Sequence, residues 1–232
     1  MKITEALNGN SYPGRGVAIG TSSDGRKGLI VYFIMGRSVN SRNRVFVPDG
    51  EGIRTEAFDP AKLSDPSLII YSPVRRINGA TIVTNGDQTD TIYDFLAKGE
   101  TFEAALRTRT FEPDGPNYTP RISGVLYPDG GYALSILKSG DPEGKTVLRE
   151  FFDYPDAAAG RARLIHTYVG DGSPLPSFKG EPKEVEMDAD CPEKLAEAVW
   201  NALDKDNRVS LYAAAVDLAT GEIKSAIINA NK

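Results

Sequence analysis

The chain is divided into short runs of β-branched and aromatic residues, and a turn signal of glycine, proline, asparagine or aspartate follows most of them. Runs of this length, closed by such turns, are typical of strands in antiparallel sheets. The predicted strands are GVAIGT, GLIVYFI, NRVFVP, SLIIYSPVR and ATIVTNG in the first half, and RISGVLY, GYALSILKS, TVLREFFDY, SLYAAAVDL and EIKSAII in the second. The segments GTSSDGRKG, YPDGG and ATGE predict turns between neighbouring strands.

Between the two blocks of strands, the apolar residues change to the period of a helix. In TDTIYDFLAKG, Ile92, Phe95 and Leu96 recur at helical spacing, and Gly99 provides a C-terminal stop. In TFEAALRTR, Thr101 is the expected N-cap of a second helix. The sequence therefore predicts a pair of helices at this point.

A third helix is predicted in DCPEKLAEAVWNAL, near the C-terminus. Asp190 is its candidate N-cap and Pro192 suits its first turn. One face carries an apolar stripe, which consists of Leu195, Val199 and Leu203. The stretch before this helix, residues 171–190, is rich in proline, glycine and lysine and is predicted to be a linker or flexible loop.

The order of these elements indicates the fold class. Strands occur in two blocks, each associated with helices and without strict βαβ alternation, which favours an α+β fold over a parallel α/β sheet. A chain of 232 residues can bury a substantial core. Neither block is self-sufficient, so we expect one domain over residues 1–232.

Charge and cysteine content exclude several classes of protein. A net charge of -5 argues against a chain-wide surface for nucleic acid or anionic membrane, so any anion site must be local. One cysteine and one histidine provide neither a disulfide framework nor a cysteine-rich zinc site. No run of residues reaches the length of a membrane helix, and the N-terminus lacks a signal peptide core. We expect a cytoplasmic protein.

The segment MGRSVNSRNRVF is the first candidate site, because it brings three arginines together. Arg42 and Arg44 alternate, so their side chains point the same way if the backbone is extended, while Arg37 lies across a turn. Guanidinium groups form charge-assisted, often bidentate hydrogen bonds to phosphate or carboxylate. The alternative is a solvated hairpin tip whose arginines do nothing specific.

Two further segments carry candidate polar groups. NGDQTDTI joins a strand to a helix, where free N–H groups favour anions, although its residues are also ordinary capping residues. In FEPDGPNYTPRISG, Glu112 or Asp114 could act as acid or base beside Arg121, or belong to an ordinary surface loop. Tyr71, at the end of SLIIY, is either an interface aromatic or a phenol in a cleft. His166 and Cys191 are interpreted as structural.

Taken together and in this order, YPGRG, GRSVNSRNR, DPSLIIY, NGDQTDTI and NYTPRI resemble the archaeal-type IMP cyclohydrolase family over most of residues 12–125. The resemblance implies a four-layer αββα sandwich like that of N-terminal nucleophile hydrolases, without the terminal nucleophile. The chain opens with Met1-Lys2, in agreement with that expectation.

The resemblance also implies an activity of the cyclic amidine hydrolase class. 5-Formamidoimidazole-4-carboxamide ribonucleotide (FAICAR) would close to inosine monophosphate with loss of water, in purine biosynthesis. By matching motifs, the catalytic residues would be Arg42, Tyr71 and Glu112. Candidate substrate-binding residues are Arg15, Arg37, Ser38, Asn40, Arg44, Asn85, Gln88, Thr89, Asp90 and Arg121.

The same resemblance bears on cofactors and partners. It implies no metal or organic cofactor, a purine nucleotide as the small-molecule partner, and the capacity to form homo-oligomers. Two alternatives stay open. One is a protein of the same fold that binds a nucleotide or related anion without turnover, and the other is an amidohydrolase with an exposed terminal nucleophile.

Overall fold

The computed structural model describes residues 1–63, 66, 69–187 and 191–231. In chain order, the elements are α1 (Ile3–Leu7), β1 (Arg15–Thr21), β2 (Lys27–Met35), α2 (Val39–Arg42), β3 (Arg44–Asp49), β4 (Gly52–Ala57), β5 (Val74–Ile77), β6 (Ala80–Thr84), α3 (Gln88–Ala97), α4 (Phe102–Arg107), β7 (Arg121–Leu126), β8 (Tyr132–Ser139), β9 (Val147–Tyr154), β10 (Ala162–His166), β11 (Lys183–Val185), α5 (Pro192–Ala202), β12 (Arg208–Asp217) and β13 (Ile223–Asn229). One 3-10 turn, Pro60–Lys62, lies between β4 and β5.

The strands form two antiparallel sheets. The first has six strands in the order β11-β10-β1-β2-β12-β13, and the second has seven in the order β3-β4-β5-β6-β7-β8-β9. Strand β2 is central in the first sheet, where Tyr32 lies opposite Val17 of β1 and Tyr212 of β12. Strand β3 is at the edge of the second sheet. The connection from β2 to β3 therefore crosses from one sheet to the other.

Apolar side chains pack in three layers between these elements. Val17, Ile34, Phe46, Val83 and Ile122 belong to the cluster between the two sheets. The outer face of the six-stranded sheet packs against α1 and α5, and the outer face of the seven-stranded sheet packs against α3 and α4. Each sheet is thus buried on both faces, which accounts for the almost continuous burial of β2 and β12.

The predicted helix pair is confirmed. Helix α3 is followed by Gly99 at φ +75°, a conformation that glycine adopts without steric cost. The Thr101 hydroxyl accepts a hydrogen bond from Ala104 N–H at 3.1 Å and caps α4. In the third helix Pro192 occupies the first turn, as predicted. Asp190, the predicted N-cap, lies outside the described residues, and Cys191 directly precedes α5.

Two predictions about the chain are wrong. Of the predicted strand SLIIYSPVR, the described residues 69–73 are turn and irregular backbone, and pairing begins at Val74. The predicted linker or flexible loop contains β11, and Phe178 and Val185 in it are buried in the two sheet cores. Proline and glycine shape this stretch, but its apolar residues anchor it.

The mixed α+β class and the antiparallel sheets are confirmed. Within the described part of the chain, no helix has the length and apolar character needed to cross a membrane.

Candidate active site

Arg15 enters the site from the first residue of β1, where it pairs with Ile34 of β2. The preceding Gly14 has φ +78° and lies so close to Thr167 and Tyr168 that a Cβ at this position would approach Thr167 Oγ1 to 2.2 Å. Arg15 N–H donates to the same Thr167 Oγ1 at 3.1 Å. The absence of a side chain at Gly14, the first glycine of YPGRG, therefore lets the chain pack against the residues that follow β10.

The connection between the sheets separates two arginines that the sequence placed on one face. Residues 39–42 form α2, which begins after Ser38, so the backbone is not extended here. Arg42 is exposed, and its guanidinium donates to Gly36 O at 2.9 Å and Asn207 Oδ1 at 3.2 Å. Arg44 is 0% exposed. The shared direction of the two side chains was predicted for an extended backbone, and that condition is not met because Arg42 lies in α2.

The burial of Arg44 is unusual, because a guanidinium group is rarely fully buried without a partner. Its Nε donates to Ser41 O at 2.9 Å. Its terminal nitrogens Nη1 and Nη2 are buried and have no hydrogen-bond partner among the described residues. Such a group has free donors for an anion or a carbonyl oxygen.

Tyr71 lies just before β5 and is 8% exposed. Thr55 holds its backbone, since Thr55 N–H donates to Tyr71 O and Tyr71 N–H donates to Thr55 Oγ1, both at 2.9 Å. The hydroxyl groups of Tyr71 and Tyr32 are 2.8 Å apart. Burial raises the pKa of Tyr71, and the charges of Arg44 and Arg15 oppose that shift.

Glu112 lies in the loop before β7 and is 3% exposed. Its N–H donates to Thr119 O at 2.9 Å, which fixes the loop. Burial raises the pKa of the Glu112 carboxyl to about 7, although Arg15 and Arg121 lower it. A carboxyl with this pKa exchanges its proton readily near neutral pH.

Asp114, the other acidic candidate, has a different environment. Its carboxylate accepts hydrogen bonds from Thr119 N–H at 2.6 Å and from Thr119 Oγ1 at 2.5 Å. Thr119 Oγ1 in turn lies 2.5 Å from the Tyr168 hydroxyl. Asp114 thus braces the loop, and the geometry favours Glu112 as the titrating group.

The arginines, tyrosines and carboxylate interact electrostatically as one cluster. Burial by itself would lower the pKa of Arg15, but Glu112, Tyr168, Tyr12 and Tyr71 raise it above the ordinary value. For Arg44, burial and the nearby charge of Arg15 both lower the pKa. The cluster therefore contains two cations that repel each other, and a carboxylate that neutralises mainly Arg15.

The polar residues of NGDQTDTI are occupied by partners within the protein. Gln88 Nε2 donates to Asn85 Oδ1 at 3.0 Å, and Thr89 Oγ1 lies 2.7 Å from Thr84 Oγ1. Asp90 is exposed and forms an ion pair with Arg75. We find Asn85, Gln88 and Thr89 buried, so their geometry is that of a structural network.

That network holds Arg121 in place. Arg121 Nη1 donates to Asp87 Oδ1 at 2.5 Å and to Gln88 Oε1 at 2.7 Å, and its side chain is largely buried. Its charge acts on Glu112. Arg121 therefore joins the cluster from β7.

The remaining candidates, Arg37, Ser38 and Asn40, lie in α2 and in the turn before it. Arg37 packs over the Tyr12 ring at 4.8 Å and forms an ion pair with Asp171. The Ser38 hydroxyl accepts from Ser41 N–H at 3.1 Å and so caps α2. Asn40 Oδ1 is buried and has no hydrogen-bond partner within the described ranges.

Three tyrosines of the cluster were not predicted from the sequence. Tyr32 looks like an ordinary core residue in the apolar run GLIVYFI, and Tyr12 and Tyr168 stack with ring centroids 6.0 Å apart. Tyr12 belongs to the YPGRG motif but was not among the predicted site residues. Among the described residues, no group of histidine, cysteine, aspartate or glutamate could hold a metal ion.

His166 and Cys191 fit their structural interpretation. His166 is 1% exposed, and its Nδ1 lies 2.7 Å from Tyr168 O. Burial lowers its pKa to about 4, so the ring is neutral at physiological pH. Cys191 is a free, half-buried thiol.

The comparisons with known proteins agree with one another. The family described as IMP cyclohydrolase-like protein matches residues 12–221. A protein named IMP cyclohydrolase from Methanopyrus kandleri is 30% identical over 183 residues, which is 72% of this chain and 89% of the relative. The IMP cyclohydrolase of Halobacterium salinarum is 30% identical over 132 residues, 55% of this chain and 63% of the relative. The match thus spans less than two thirds of the Halobacterium protein.

Proposed function

The chain belongs to the IMP cyclohydrolase-like protein family, and on that premise we propose that it closes FAICAR to inosine monophosphate with loss of water. The observation that carries the proposal is the convergence of the buried side chains of Arg44, Tyr71 and Glu112 with the half-buried Arg15 in one cluster. An amide nitrogen is a poor nucleophile, so the site has to align it, stabilise charge on oxygen and move protons. The cluster contains a group for each task.

The first step is attack of the carboxamide nitrogen on the formyl carbon. Ionised Glu112 accepts a proton from that nitrogen as the new C–N bond forms. The formyl oxygen gains negative charge, and the free terminal nitrogens of Arg44 are suited to stabilise it. Tyr71 then donates its proton to this oxygen, which gives a ring-closed carbinol.

The second step is loss of water from the carbinol. Protonated Glu112 returns its proton to the carbinol oxygen, which leaves as water. The former formamido N–H gives its proton to the Tyr71 phenolate as the C=N bond forms. The formyl oxygen leaves as water with the two protons that it received from Tyr71 and Glu112. Tyr71 is again a phenol and Glu112 again a carboxylate, so the cycle is balanced.

In this proposal the oxyanion donor is Arg44, and not Arg42, the arginine that the family resemblance implied as catalytic. The supporting observation is that Arg42 is exposed and bonded to Gly36 O and Asn207, whereas the charge of Arg44 acts on Tyr71. Arg37, which packs over the Tyr12 ring, is a proposed contact for the nucleotide phosphate, and Asn40 is a second one through the N–H groups of its side-chain amide. Gln88 is proposed to act by holding Arg121, and Asn85 by holding the backbone on either side of it through Pro120 O and Ile122 N–H. Thr89 and Asp90, which bond Thr84 and Arg75, are given no role in the reaction.

The layer arrangement supports the wider proposal of an αββα sandwich like that of N-terminal nucleophile hydrolases. Helices pack on the outer faces of two antiparallel sheets that share an apolar core. We also propose one domain, because β1 and β2 pair with β10 and β12 from the far end of the chain. The reducing cytoplasm suits a biosynthetic enzyme with one cysteine. Homo-oligomers remain an expectation from the family.

The direct test is to incubate the purified protein with FAICAR and follow inosine monophosphate against a control without protein. Glu112→Gln should abolish product formation, Tyr71→Phe should leave only a small residual rate, and both variants should retain measurable affinity for the product. If the wild-type protein binds the nucleotide but forms no product above the control, the alternative of a binding protein without turnover replaces the proposal.

A further inference from the structure

Tyr32 is a buried phenol that the proposed reaction does not use. It lies in the middle of β2, is 0% exposed and stacks on Phe46 with ring centroids 5.4 Å apart. Its neighbours Val17 and Tyr212 flank it in β1 and β12. The ring is therefore held in one position by the inter-sheet core, and it has no access to a ligand.

The structure provides the Tyr32 hydroxyl with one acceptor for its proton among the described residues. Its only hydrogen bond in the described part of the chain is the 2.8 Å contact with the Tyr71 hydroxyl. If Tyr71 were the donor in this contact, the Tyr32 proton would stay buried without an acceptor, which is unfavourable. Tyr71 is less enclosed, and Glu112 acts on it electrostatically. Of the two hydroxyl groups, that of Tyr71 is therefore the one that an acceptor outside this contact can reach.

We infer that Tyr32 donates its proton to the hydroxyl oxygen of Tyr71 and thereby directs the proton of Tyr71 into the candidate active site. A hydroxyl has one proton, so a Tyr71 that accepts from Tyr32 has its own proton free for another acceptor. Tyr32 also keeps a donor on the Tyr71 oxygen after that proton leaves. It is a positioning residue, and its role in turnover rests on the proposed function.

The first test does not depend on activity. The ionisation of Tyr71 is followed by NMR with tyrosine labelled at the ring carbon that bears the hydroxyl, and the Tyr71 signal is assigned by its loss in Tyr71→Phe. In Tyr32→Phe the phenolate of Tyr71 loses a donor, so its pKa should rise by about one unit. An unchanged or lower pKa would overturn the inference.

The control is Tyr212→Phe. Tyr212 lies opposite Tyr32 in the next strand, is 1% exposed and belongs to the same inter-sheet core. This variant also loses a buried hydroxyl, but it should leave the ionisation of Tyr71 and the rate of turnover unchanged. Thermal unfolding of both variants shows whether each is folded.

The second test is a double-mutant cycle on cyclisation. Tyr32→Phe should lower kcat about tenfold with little change in KM, because proton transfer is affected and binding is not. In a Tyr71→Phe background the same substitution should have no further effect on the residual rate. An equal loss in both backgrounds would contradict action through Tyr71. If the wild-type protein is inactive, the proposed function fails and the NMR result alone decides the hydrogen bond.

Discussion

The guanidinium groups of Arg15 and Arg44 interact in one cluster although the two residues begin strands of different sheets. Burial lowers the pKa of Arg44, and the charge of Arg15 lowers it further. The terminal nitrogens of Arg44 have no hydrogen-bond partner among the residues that the structure describes. Repulsion between two such cations favours binding of a negative group, so the cluster is prepared for charge that develops on a substrate oxygen.

Replacement of Arg44 should therefore cost far more activity than replacement of Arg42. We expect Arg44→Gln to lower kcat by about 10²–10³-fold, the usual effect of losing an oxyanion donor. Arg42→Gln loses two hydrogen bonds at the surface and should have a much smaller effect. Steady-state cyclisation kinetics measure both, with thermal unfolding to show that each variant is folded. Equal losses, or a larger loss for Arg42→Gln, would return the oxyanion role to Arg42.

The sequence predicts that arginines gather after β2, but the choice between Arg42 and Arg44 depends on the path of the backbone. Alternate residues share a face only in an extended chain. Ser38 and Ser41 close a one-turn helix here, with each side chain bonded to the other residue's N–H. A helix this short leaves little periodic signal in a sequence, so α2 could not be predicted from the pattern.

The rate of cyclisation should depend on the ionisation of Glu112. Burial raises the pKa of this carboxyl to about 7, and the proposed base is the ionised form. We expect kcat/KM, which reports the free enzyme, to rise with pH and level off above about pH 7. A pH–rate profile of the wild-type protein measures this. A profile that is flat between pH 5 and about pH 8 would contradict the assignment.

The same pKa predicts how stability depends on pH. In the folded protein the pKa of Glu112 is above its usual value of 4.5, so the folded state binds the proton more tightly than the unfolded state. The contribution of this group to stability is full below about pH 4.5 and is lost as pH rises through about 7. Glu112→Gln removes the titration. It should gain stability over the wild type as pH rises.

The gain has an upper limit of about 3–4 kcal/mol, because the pKa of Glu112 rises from 4.5 to about 7 on folding and one pKa unit corresponds to about 1.4 kcal/mol. Denaturant unfolding of wild type and Glu112→Gln at pH 5 and about pH 8 gives the difference at each pH. Asp114→Asn is a useful comparison, since Asp114 accepts two hydrogen bonds from Thr119 and its replacement should destabilise the loop. A constant difference between wild type and Glu112→Gln across this range would show that Glu112 does not titrate there.

Local sequence patterns predict many of the strands, but they do not predict which side chains of the candidate site are free to bind a ligand. The strands of β1, β2, β7 and β8 are predicted because β-branched runs end at strong turns. Sequence does not indicate that β2 and β3 lie in different sheets, since this depends on packing over the whole chain. Asn85 and Gln88 illustrate a second limit. Their amide groups suit a ligand equally well, and only coordinates reveal that both are bonded within the protein.

Replacement of Gly14, the first glycine of the YPGRG motif, should combine backbone strain with a steric clash. Gly14 has φ +78°, and a Cβ there would lie 2.2 Å from Thr167 Oγ1 and 2.5 Å from Tyr168 Cδ2. Gly9 has a similar φ of +79°, with nothing within 4 Å of a Cβ. Gly9→Ala therefore measures the backbone cost alone, about 1–2 kcal/mol. Gly14→Ala adds the steric cost of overpacking, about 1–3 kcal/mol more.

Denaturant unfolding of the two alanine variants gives these free energies of unfolding directly. Gly14→Ala should also lower the rate of cyclisation, because Thr167 Oγ1 accepts the N–H of Arg15 and any displacement moves that arginine. Gly9→Ala should leave the rate unchanged, since a Cβ added at Gly9 would have no atom within 4 Å and would not disturb the cluster. If both variants lose the same free energy of unfolding, Tyr168 and Thr167 can move aside, and close packing at Gly14 is not what positions Arg15.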